Sequence, residues 1–297
     1  MGNRFQITVV ADDEKFSNEC IALAVDEIKR IEELLSTYKS TSETNLINAN
    51  AGIAPVKVSL EIFQLIQRSI KISNLTQGAF DITYGSIDKR FWNFDCNMTS
   101  LPDPEVAKEM TKLINYRNII LDEKLLTVFL KEQGMRIGFG GIGKGYAAEM
   151  AKRVLLKKGI ENGIVNASGD LSVWGKQPNG EPWTVGIVHP DLKEKIFAMM
   201  ELRDSAVATS GNYEKFIVIE GKKYSHTIDP KTGMPVRGIK SVTIFSPNAE
   251  ICDALTTPVT IMGINAGLHL INQIQGVECV IIDDDNKLYT SSNIHLS

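Results

Sequence analysis

The sequence predicts an α+β fold with mixed or antiparallel sheets and packed helices. Apolar residues recur at helical spacing in the first half, whereas short β-rich runs separated by Gly, Pro and Asn-Gly turns dominate the second half. Helices and strands do not alternate regularly, as a βαβ architecture would require. With 297 residues, no internal repeat and no long linker, the chain is expected to form a single domain over 1–297, with room for two α+β subdomains within it.

Helical periodicity and capping residues predict six helices. Ser17 is expected to be the N-cap of the first helix. Ser59 opens the second, which ends before Gly78, and Gly159 ends the fourth. The predicted ranges are 17–35, 59–77, 104–114, 146–158, 249–262 and 265–273.

Strands are predicted where β-branched and aromatic residues cluster between turn signals. Residues 5–10 alternate well enough for a first strand. A final hairpin is expected to pair 278–282 with 287–290 across the acidic turn 283–286. The remaining runs are 164–165, 171–173, 184–188, 196–202, 216–219 and 241–245.

Composition excludes several classes of function. With 32 basic against 36 acidic residues and a net charge of −4, no overall basic surface favours a nucleic-acid partner. The four cysteines are widely separated and form no C-x-x-C pair, so buried free thiols are expected rather than a zinc site or a disulfide framework. They are Cys20, Cys96, Cys252 and Cys279.

No segment approaches the roughly 18 consecutive apolar residues of a membrane span. The opening residues, Met1–Phe5, contain neither an apolar signal region nor a lipidation cysteine. As written, the sequence therefore predicts a cytoplasmic chain. Membrane association is expected only if an upstream signal with a lipid-attachment cysteine was removed.

A glycine-dense turn precedes the fourth helix. Gly138, Gly140 and Gly143 satisfy G-x-G-x-x-G, and Gly143-Lys144 completes most of a phosphate-binding loop. Both patterns fail on context, because Gly145 stands where that loop needs Ser or Thr and over 130 residues precede the turn. The physics they share still applies: open backbone before a helix N-terminus favours an anion, and Lys144 there opposes the helix dipole unless an anion lies nearby. A phosphate site is therefore favoured modestly over a simple strand-to-helix turn.

Two further places carry potential ligands. Asp253 and Thr257 lie four residues apart on a predicted helix and share one face, so they offer two hard oxygens to magnesium; an ordinary surface pair is the alternative. His226 lies in the polar segment 224–233, whose Asp-Pro and Thr-Gly signals predict a hairpin or loop. It is a candidate general base, with a purely structural histidine as the equal alternative.

Together, these residues resemble the FAD:protein FMN transferase family over nearly the whole chain. Several separated segments match the family's motifs in the family's order. They are Met1-Gly2 (Met-Gly-Thr/Ser), 34–38 with 42–43 and 47–48 (L-x-S-T-Y/F, S-E, I-N), 78–83 (G-A-F-D-P-T), 140–145 (G-G-I-A-K-G), 166–170 (D-A-G-G-D), 209–213 (T-S-G-D-Y), 224–230 (Y-S-H-I-I-D-P) and 253–257 (D-A-L-S-T).

The resemblance implies a flavin-transferase-like fold with the FAD and magnesium site between its subdomains, and a role for each matching position. The FAD pocket would be lined by Met1, Tyr38, Ala79, Phe80 and Asp81, with Lys144 and His226 close to the FAD. Magnesium would be held by the carbonyl oxygen of Gly141 and the side chains of Asp253 and Thr257, with Asp253 and His226 serving catalysis.

The implied reaction transfers FMN from FAD to a Ser or Thr hydroxyl of an acceptor protein and releases AMP. The alternatives are FAD hydrolysis to FMN and AMP, and FAD binding without catalysis. The family is usually exported and membrane-associated. Three positions depart from its pattern: Gly138 and Asn166 each replace an Asp, and Pro258 follows Thr257. Magnesium is expected to bind despite them.

Overall fold

The computed structural model describes residues 3–87, 100–189, 192–211, 216–219 and 221–294, and their side chains except those of 187–189, 192–198 and 222. The chain divides into two compact units. Unit 1 comprises Met1–Glu32, Ile142–Tyr213 and Gly238–Ser297, and unit 2 comprises Glu33–Gly141 and Glu214–Arg237. Both contain helices and antiparallel sheet, which confirms the predicted α+β class.

The described residues contain seven α-helices. They are α1 Glu14–Leu35, α2 Glu43–Ala49, α3 Leu60–Leu75, α4 Pro104–Met110, α5 Gly143–Lys157, α6 Ala249–Met262 and α7 Ile264–Ile271. Two 3₁₀ turns cover Ile82–Ser86 and Tyr116–Asn118. None of the helices in the described ranges is both long enough and apolar enough to cross a membrane.

Fourteen strands are present in the same residues. They are β1 Phe5–Val10, β2 Val56–Lys57, β3 Ile119–Asp122, β4 Thr127–Leu130, β5 Asn162–Ala167, β6 Asp170–Trp174, β7 Trp183–His189, β8 Leu192–Leu202, β9 Ser205–Gly211, β10 Phe216–Ile219, β11 Lys222–Ser225, β12 Ile239–Ser246, β13 Glu278–Asp283 and β14 Leu288–Thr290.

Unit 1 is built on a seven-stranded antiparallel sheet with the strand order β1-β5-β6-β9-β12-β13-β14. Helix α5 packs against β5 and β6, and α6 packs against β9 and β12. An apolar cluster including Trp183, Phe245 and Val280 joins this sheet to the β7–β8 hairpin. Every residue of β12 is consequently buried, which removes the alternation of exposure typical of a half-buried strand.

Helices α5 and α6 approach each other unusually closely near their N-termini. A Cβ atom added to Gly145 would lie 2.1 Å from the carbonyl oxygen of Ala249, so only glycine fits there. The buried Glu149 of α5 accepts hydrogen bonds at Oε2 from the backbone N–H of Ala249 (3.3 Å) and from the hydroxyl of Ser172 (3.2 Å). Its carboxylate thus interacts with the N-terminus of α6, where the helix dipole favours negative charge.

Unit 2 contains α2, α3 and α4, a three-stranded sheet of order β2-β4-β3 and the β10–β11 hairpin. Ser59 caps α3 by accepting a hydrogen bond from the N–H of Ile62, as the sequence predicts. A small apolar cluster of Ile87, Ala107 and Ile228 packs α4 against the segment after β11. The residues of this unit are therefore joined by contacts between distant parts of its sequence.

One capping prediction is wrong. Helix α1 begins at Glu14, not after Ser17, because Asp13 caps it: Oδ1 of Asp13 accepts a hydrogen bond from the N–H of Phe16 (3.0 Å). The Ser17 hydroxyl instead donates to the carbonyl oxygen of Asp13 (2.7 Å) within the first turns.

The third predicted helix, 104–114, is also too long, since α4 ends at Met110 and the chain continues only as a turn.

The cysteine prediction is confirmed for the three cysteines that the structure describes. Cys20, Cys252 and Cys279 are buried and form no disulfide. Burial raises the pKa of the Cys252 thiol to about 12, which keeps it protonated and unreactive. The fourth cysteine, Cys96, lies outside the described residues.

Gly145→Ala is expected to destabilise the protein by at least about 1–3 kcal/mol, because the new methyl group forces α5 and α6 apart. Thermal unfolding should show a fall in Tm of several degrees. Gly140→Ala is the matched control, since a Cβ at Gly140 meets no atom within 4 Å. Equal Tm values for the two variants would contradict the close helix approach.

Candidate functional site

Three charged side chains of unit 1 meet at the N-terminus of α5. The ammonium Nζ of Lys144 lies 2.9 Å from Oδ1 of Asp253 and 2.8 Å from Oδ2 of Asp170. The other oxygen of Asp253, Oδ2, accepts a hydrogen bond from the N–H of Gly145 (2.9 Å). Each aspartate side chain is 4% exposed and the lysine side chain 24%, so the group is largely withdrawn from water.

Each member is positioned by a different element. Lys144 is the second residue of α5, and Asp253 lies in the second turn of α6. Asp170 is the first residue of β6, directly after the tight turn that joins β5 to β6. Gly169 has φ +101° in this turn and donates its N–H to the side-chain oxygen of Asn166 (2.8 Å). Asn166, a departure from the family pattern, therefore stabilises the turn that places Asp170.

The Lys144 ammonium is held in its charged form. Burial lowers the pKa of Lys144, but the neighbouring charges of Asp253 and Asp170 and their hydrogen bonds raise it more, so its pKa lies above the usual value. The lysine is therefore a permanent cation at neutral pH. The carboxylates of Asp170 and Asp253 are anions close to Lys144, so they offset the unfavourable interaction of this lysine with the dipole at the N-terminus of α5.

Asp170 is shifted in the opposite sense from an ordinary ion-pair carboxylate. Burial, followed by the charge of Asp253, raises the pKa of Asp170 to about 7, although Lys144 and the backbone N–H of Thr209 act against this rise. With both carboxylates ionised, the three groups carry one excess negative charge in a site of low solvent access. Such an excess of buried carboxylate oxygen fits a hard divalent cation.

Thr257 is the one threonine of its helix segment whose hydroxyl is not used internally. The hydroxyls of Thr256 and Thr260 donate to the carbonyl oxygens of Asp253 and Thr256, each at 2.9 Å. The hydroxyl of Thr257 makes no hydrogen bond within the part of the chain that the structure describes, and the residue is half-buried. Helix α6 continues through Pro258, so Asp253 and Thr257 lie one turn apart, as the sequence predicts.

Asp81, in unit 2, has a structural role that its motif does not reveal. Its Oδ1 accepts hydrogen bonds from the N–H and the hydroxyl of Thr83 (2.8 and 2.6 Å), and its Oδ2 accepts one from the N–H of Tyr116 (2.8 Å). Burial raises the pKa of Asp81, although these hydrogen bonds oppose the rise. The carboxylate therefore fixes the 3₁₀ turn at Ile82–Ser86 against the segment around Tyr116.

The neighbouring predicted pocket residues differ in exposure. Ala79 and Phe80 are buried, and the Phe80 ring lies 3.6 Å from the point where a Cβ of Gly141 would be. Tyr38 is 97% exposed, which leaves its whole ring available to a ligand. The remaining predicted pocket residue, Met1, lies outside the described residues.

His226 lies at an exposed bend directly after β11 in unit 2. The hairpin predicted around it is present: Ile228 pairs with Pro235, and Asp229 accepts the N–H of Gly233 (2.8 Å) to close the turn. Gly233 has φ +69° and lies so close to Ala107 of α4 that a Cβ would meet the Ala107 carbonyl oxygen at 2.1 Å. The histidine is thus presented by a rigid hairpin.

The predicted metal ligands belong to both units: Gly141 ends a segment of unit 2, whereas Asp253 and Thr257 belong to unit 1. Among the described residues, no three His, Cys, Asp or Glu side chains form a group that could hold a metal ion. Asp170 is the functional candidate that sequence reasoning missed, although its motif, 166–170, was recognised.

Metal-free stability should fall as the pH rises from about 4 to 7 through the contribution of Asp170. Its pKa is near 7 in the folded protein and 3.8 ordinarily, so the folded state binds more protons in this window and loses stability as they dissociate. Asp170→Asn removes this loss. Its Tm relative to the unsubstituted protein, measured in EDTA, should rise by several degrees between about pH 5 and pH 8. A Tm difference that does not change with pH would contradict the shift.

Comparison with known proteins agrees with this fold. The model of the ApbE family matches residues 1–281. A FAD:protein FMN transferase from Klebsiella pneumoniae is 29% identical over 294 residues, which cover 98% of this chain and 90% of that protein. The crystal structure of the ApbE protein from Thermotoga maritima has a TM-score of 0.84 at 30% identity, covering 96% of this chain and 93% of that one. The flavin transferase ApbE from Vibrio cholerae has a TM-score of 0.82 at 26% identity, covering 98% and 94%.

The Klebsiella pneumoniae relative carries the name that the motifs suggest, and the family resemblance is confirmed. The matches extend through the segments that hold Lys144, Asp170 and Asp253. On this evidence of motif order, fold and similarity, the chain belongs to the ApbE family.

Proposed function

We propose that this chain is a magnesium-dependent transferase that moves FMN from FAD to a Ser or Thr hydroxyl of an acceptor protein and releases AMP. The single observation that carries the proposal is the buried group in which one ammonium, Lys144, faces two carboxylates, Asp170 and Asp253. Asp253 lies one helical turn from Thr257, whose hydroxyl is unused within the described residues. The names of the relatives supply the flavin substrate.

The proposed metal ligands are Asp253, Thr257 and the carbonyl oxygen of Gly141. Carboxylate, hydroxyl and carbonyl oxygens are the hard donors that magnesium prefers, and magnesium retains positions for water and substrate phosphates. When bound, the ion would neutralise negative charge on the phosphate oxygens and orient the pyrophosphate. The N–H of Gly145 holds the Asp253 carboxylate in a fixed orientation for this role.

The proposed FAD-binding residues contribute in different ways. The exposed ring of Tyr38 offers a stacking surface, and the open backbone at Gly140 leaves room for close approach by a ligand. Asp81 uses both carboxylate oxygens within the protein, so it would act by fixing the backbone of 80–83. Met1, Ala79 and Phe80 complete the proposed pocket, and Lys144 supplies a positive charge for the pyrophosphate.

The reaction is a displacement at phosphorus. The acceptor hydroxyl oxygen attacks the FMN-side phosphorus of FAD and forms a new P–O bond. The bond from that phosphorus to the bridging oxygen breaks, and AMP leaves with the bonding electron pair. The hydroxyl proton passes to a base, for which His226 is the proposed residue. The protein contributes mainly position and charge, because phosphoryl transfer needs little covalent chemistry from it.

Incubation with FAD, magnesium and a peptide containing one threonine tests the proposal. Mass spectrometry should show the peptide heavier by FMN minus water, together with stoichiometric AMP. A peptide with valine in place of threonine is the control and should remain unmodified. Free FMN and AMP without modified peptide would indicate hydrolysis, and FAD that stays intact in a stable complex would indicate binding without catalysis. Either result would overturn the transfer proposal.

Thr257→Val should raise the magnesium concentration that gives half-maximal transfer by about tenfold or more, because one metal ligand is lost. Maximal turnover at saturating magnesium should change less. Thr260→Val is the matched control, since this threonine lies on the same helix and its hydroxyl already donates a hydrogen bond to the carbonyl oxygen of Thr256. The same magnesium dependence in both variants would remove Thr257 from the ligand set.

His226→Gln should lower the transfer rate by about 10²–10⁴-fold, because the proton acceptor is lost. FAD affinity, measured by fluorescence titration, should change much less. Full transfer by the variant across the pH range would show that another group accepts the proton.

A further inference from the structure

The Lys144 ammonium occupies the carboxylate that the proposed function assigns to the metal. Oδ1 of Asp253 lies 2.9 Å from Nζ of Lys144, and Oδ2 receives the Gly145 N–H at the same distance. Both oxygens of Asp253 therefore already have a donor. A metal ion at Oδ1 would lie close to an ammonium, and their like charges repel strongly in a site with little water.

The structure contains a second carboxylate partner for the ammonium. Oδ2 of Asp170 is 2.8 Å from Nζ of Lys144, an ion-pair distance, but this buried oxygen receives no well-aligned hydrogen bond within the described residues. A small rotation at the end of the flexible lysine side chain would leave the ammonium on Asp170 alone, with Oδ1 of Asp253 freed. If the ammonium left both carboxylates, an ionised Asp170 would be buried without a counterion, which is costly. The Gly145 N–H would meanwhile keep the Asp253 carboxylate in place.

We propose that Lys144 is a resident cation that neutralises Asp253 until a metal ion binds, and that Asp170 is the positioning residue that then retains the ammonium. The inference rests on the proposed function for the assignment of Asp253 as a metal ligand. Asp170 acts through Lys144 and is not itself a metal ligand. Metal binding exchanges one cation for another on Asp253, so the buried carboxylates stay compensated in both states.

The proposal predicts opposite effects for the two partners. Lys144→Gln removes the competing cation and should tighten metal binding by about tenfold. Asp170→Asn removes one of the two carboxylates that pair with Lys144, so the ammonium stays on Asp253. This variant should therefore bind the metal more weakly by a similar factor. Lys144→Arg keeps a cation at the site and should bind metal much less tightly than Lys144→Gln.

Charge counting alone predicts the same signs, so the double variant decides. If Asp170 acts through Lys144, Asp170→Asn should weaken metal binding several-fold more when Lys144 is present than in the Lys144→Gln background. A general electrostatic effect gives the same factor in both backgrounds. Lys152→Gln is the charge control, because this buried lysine of α5 contacts the carbonyl oxygen of Val173, and it should alter affinity less than about twofold.

The measurement is isothermal titration calorimetry of magnesium chloride into the metal-free full chain without FAD, with Tm recorded for every variant to confirm folding. Additive effects, or weaker binding by Lys144→Gln, would overturn the exchange while leaving the proposed metal site intact. Unchanged affinity in Asp253→Asn would overturn the site assignment and the exchange together. Absence of magnesium binding by the unsubstituted protein would overturn both as well.

Discussion

The crossing of α5 and α6 near their N-termini is the constraint on which the candidate site depends. Gly145 permits the close approach, and each helix places a carboxylate against the N-terminus of the other: Asp253 on the N–H of Gly145, and Glu149 on the N–H of Ala249. Burying two carboxylates is costly, but the helix dipoles and backbone donors offset that cost. The same contact that packs the helices therefore orients Asp253.

The sheet beneath the helices adds the third charge. Strand β6 begins at Asp170, and its pairing with β5 and β9 determines where that carboxylate lies. The turn before it depends on a left-handed Gly169 and on the side chain of Asn166. Lys144 then lies between two acids from separate elements, so an error in the β5–β6 turn or in the helix crossing would leave buried charge uncompensated. Stability and site geometry are linked at this point.

Much of this arrangement is readable from the sequence because it depends on local signals. The predicted helix 249–262 agrees with α6, and in the structure local features mark both ends: the Asn248 side chain caps the start, and Gly263 follows the last residue. The shared face of Asp253 and Thr257 follows from helical spacing alone. The N-cap prediction at Ser17 was wrong because Asp13, four residues earlier, is an equally good capping residue. No local sequence pattern distinguishes which of the two caps the helix.

The remainder depends on contacts between distant residues. Lys144 signalled an anion at the start of α5, but nothing in the spacing indicates that the partners lie 26 and 109 residues later in the chain. The short strands β2, β3 and β4 escaped prediction because two to four residues carry no clear period, and pairing with each other stabilises them. The hydrogen bonds that Asp81 accepts from Thr83 and Tyr116 also escaped prediction, because Tyr116 lies 35 residues later in the chain.

The groups that the protein uses internally and those that it leaves available differ systematically. Asp81, Glu149, Thr256 and Thr260 direct their polar atoms at nearby backbone or side chains, whereas the Thr257 hydroxyl and the Tyr38 ring are left unused within the described residues. A site for phosphoryl transfer needs both kinds, because its catalytic power comes from charges fixed before the substrate arrives. Lys144 belongs to neither set, because its ammonium is paired but lies at nearly the same distance from two carboxylates, Asp170 and Asp253. That shared pairing allows one carboxylate to be released without leaving the other without a counterion.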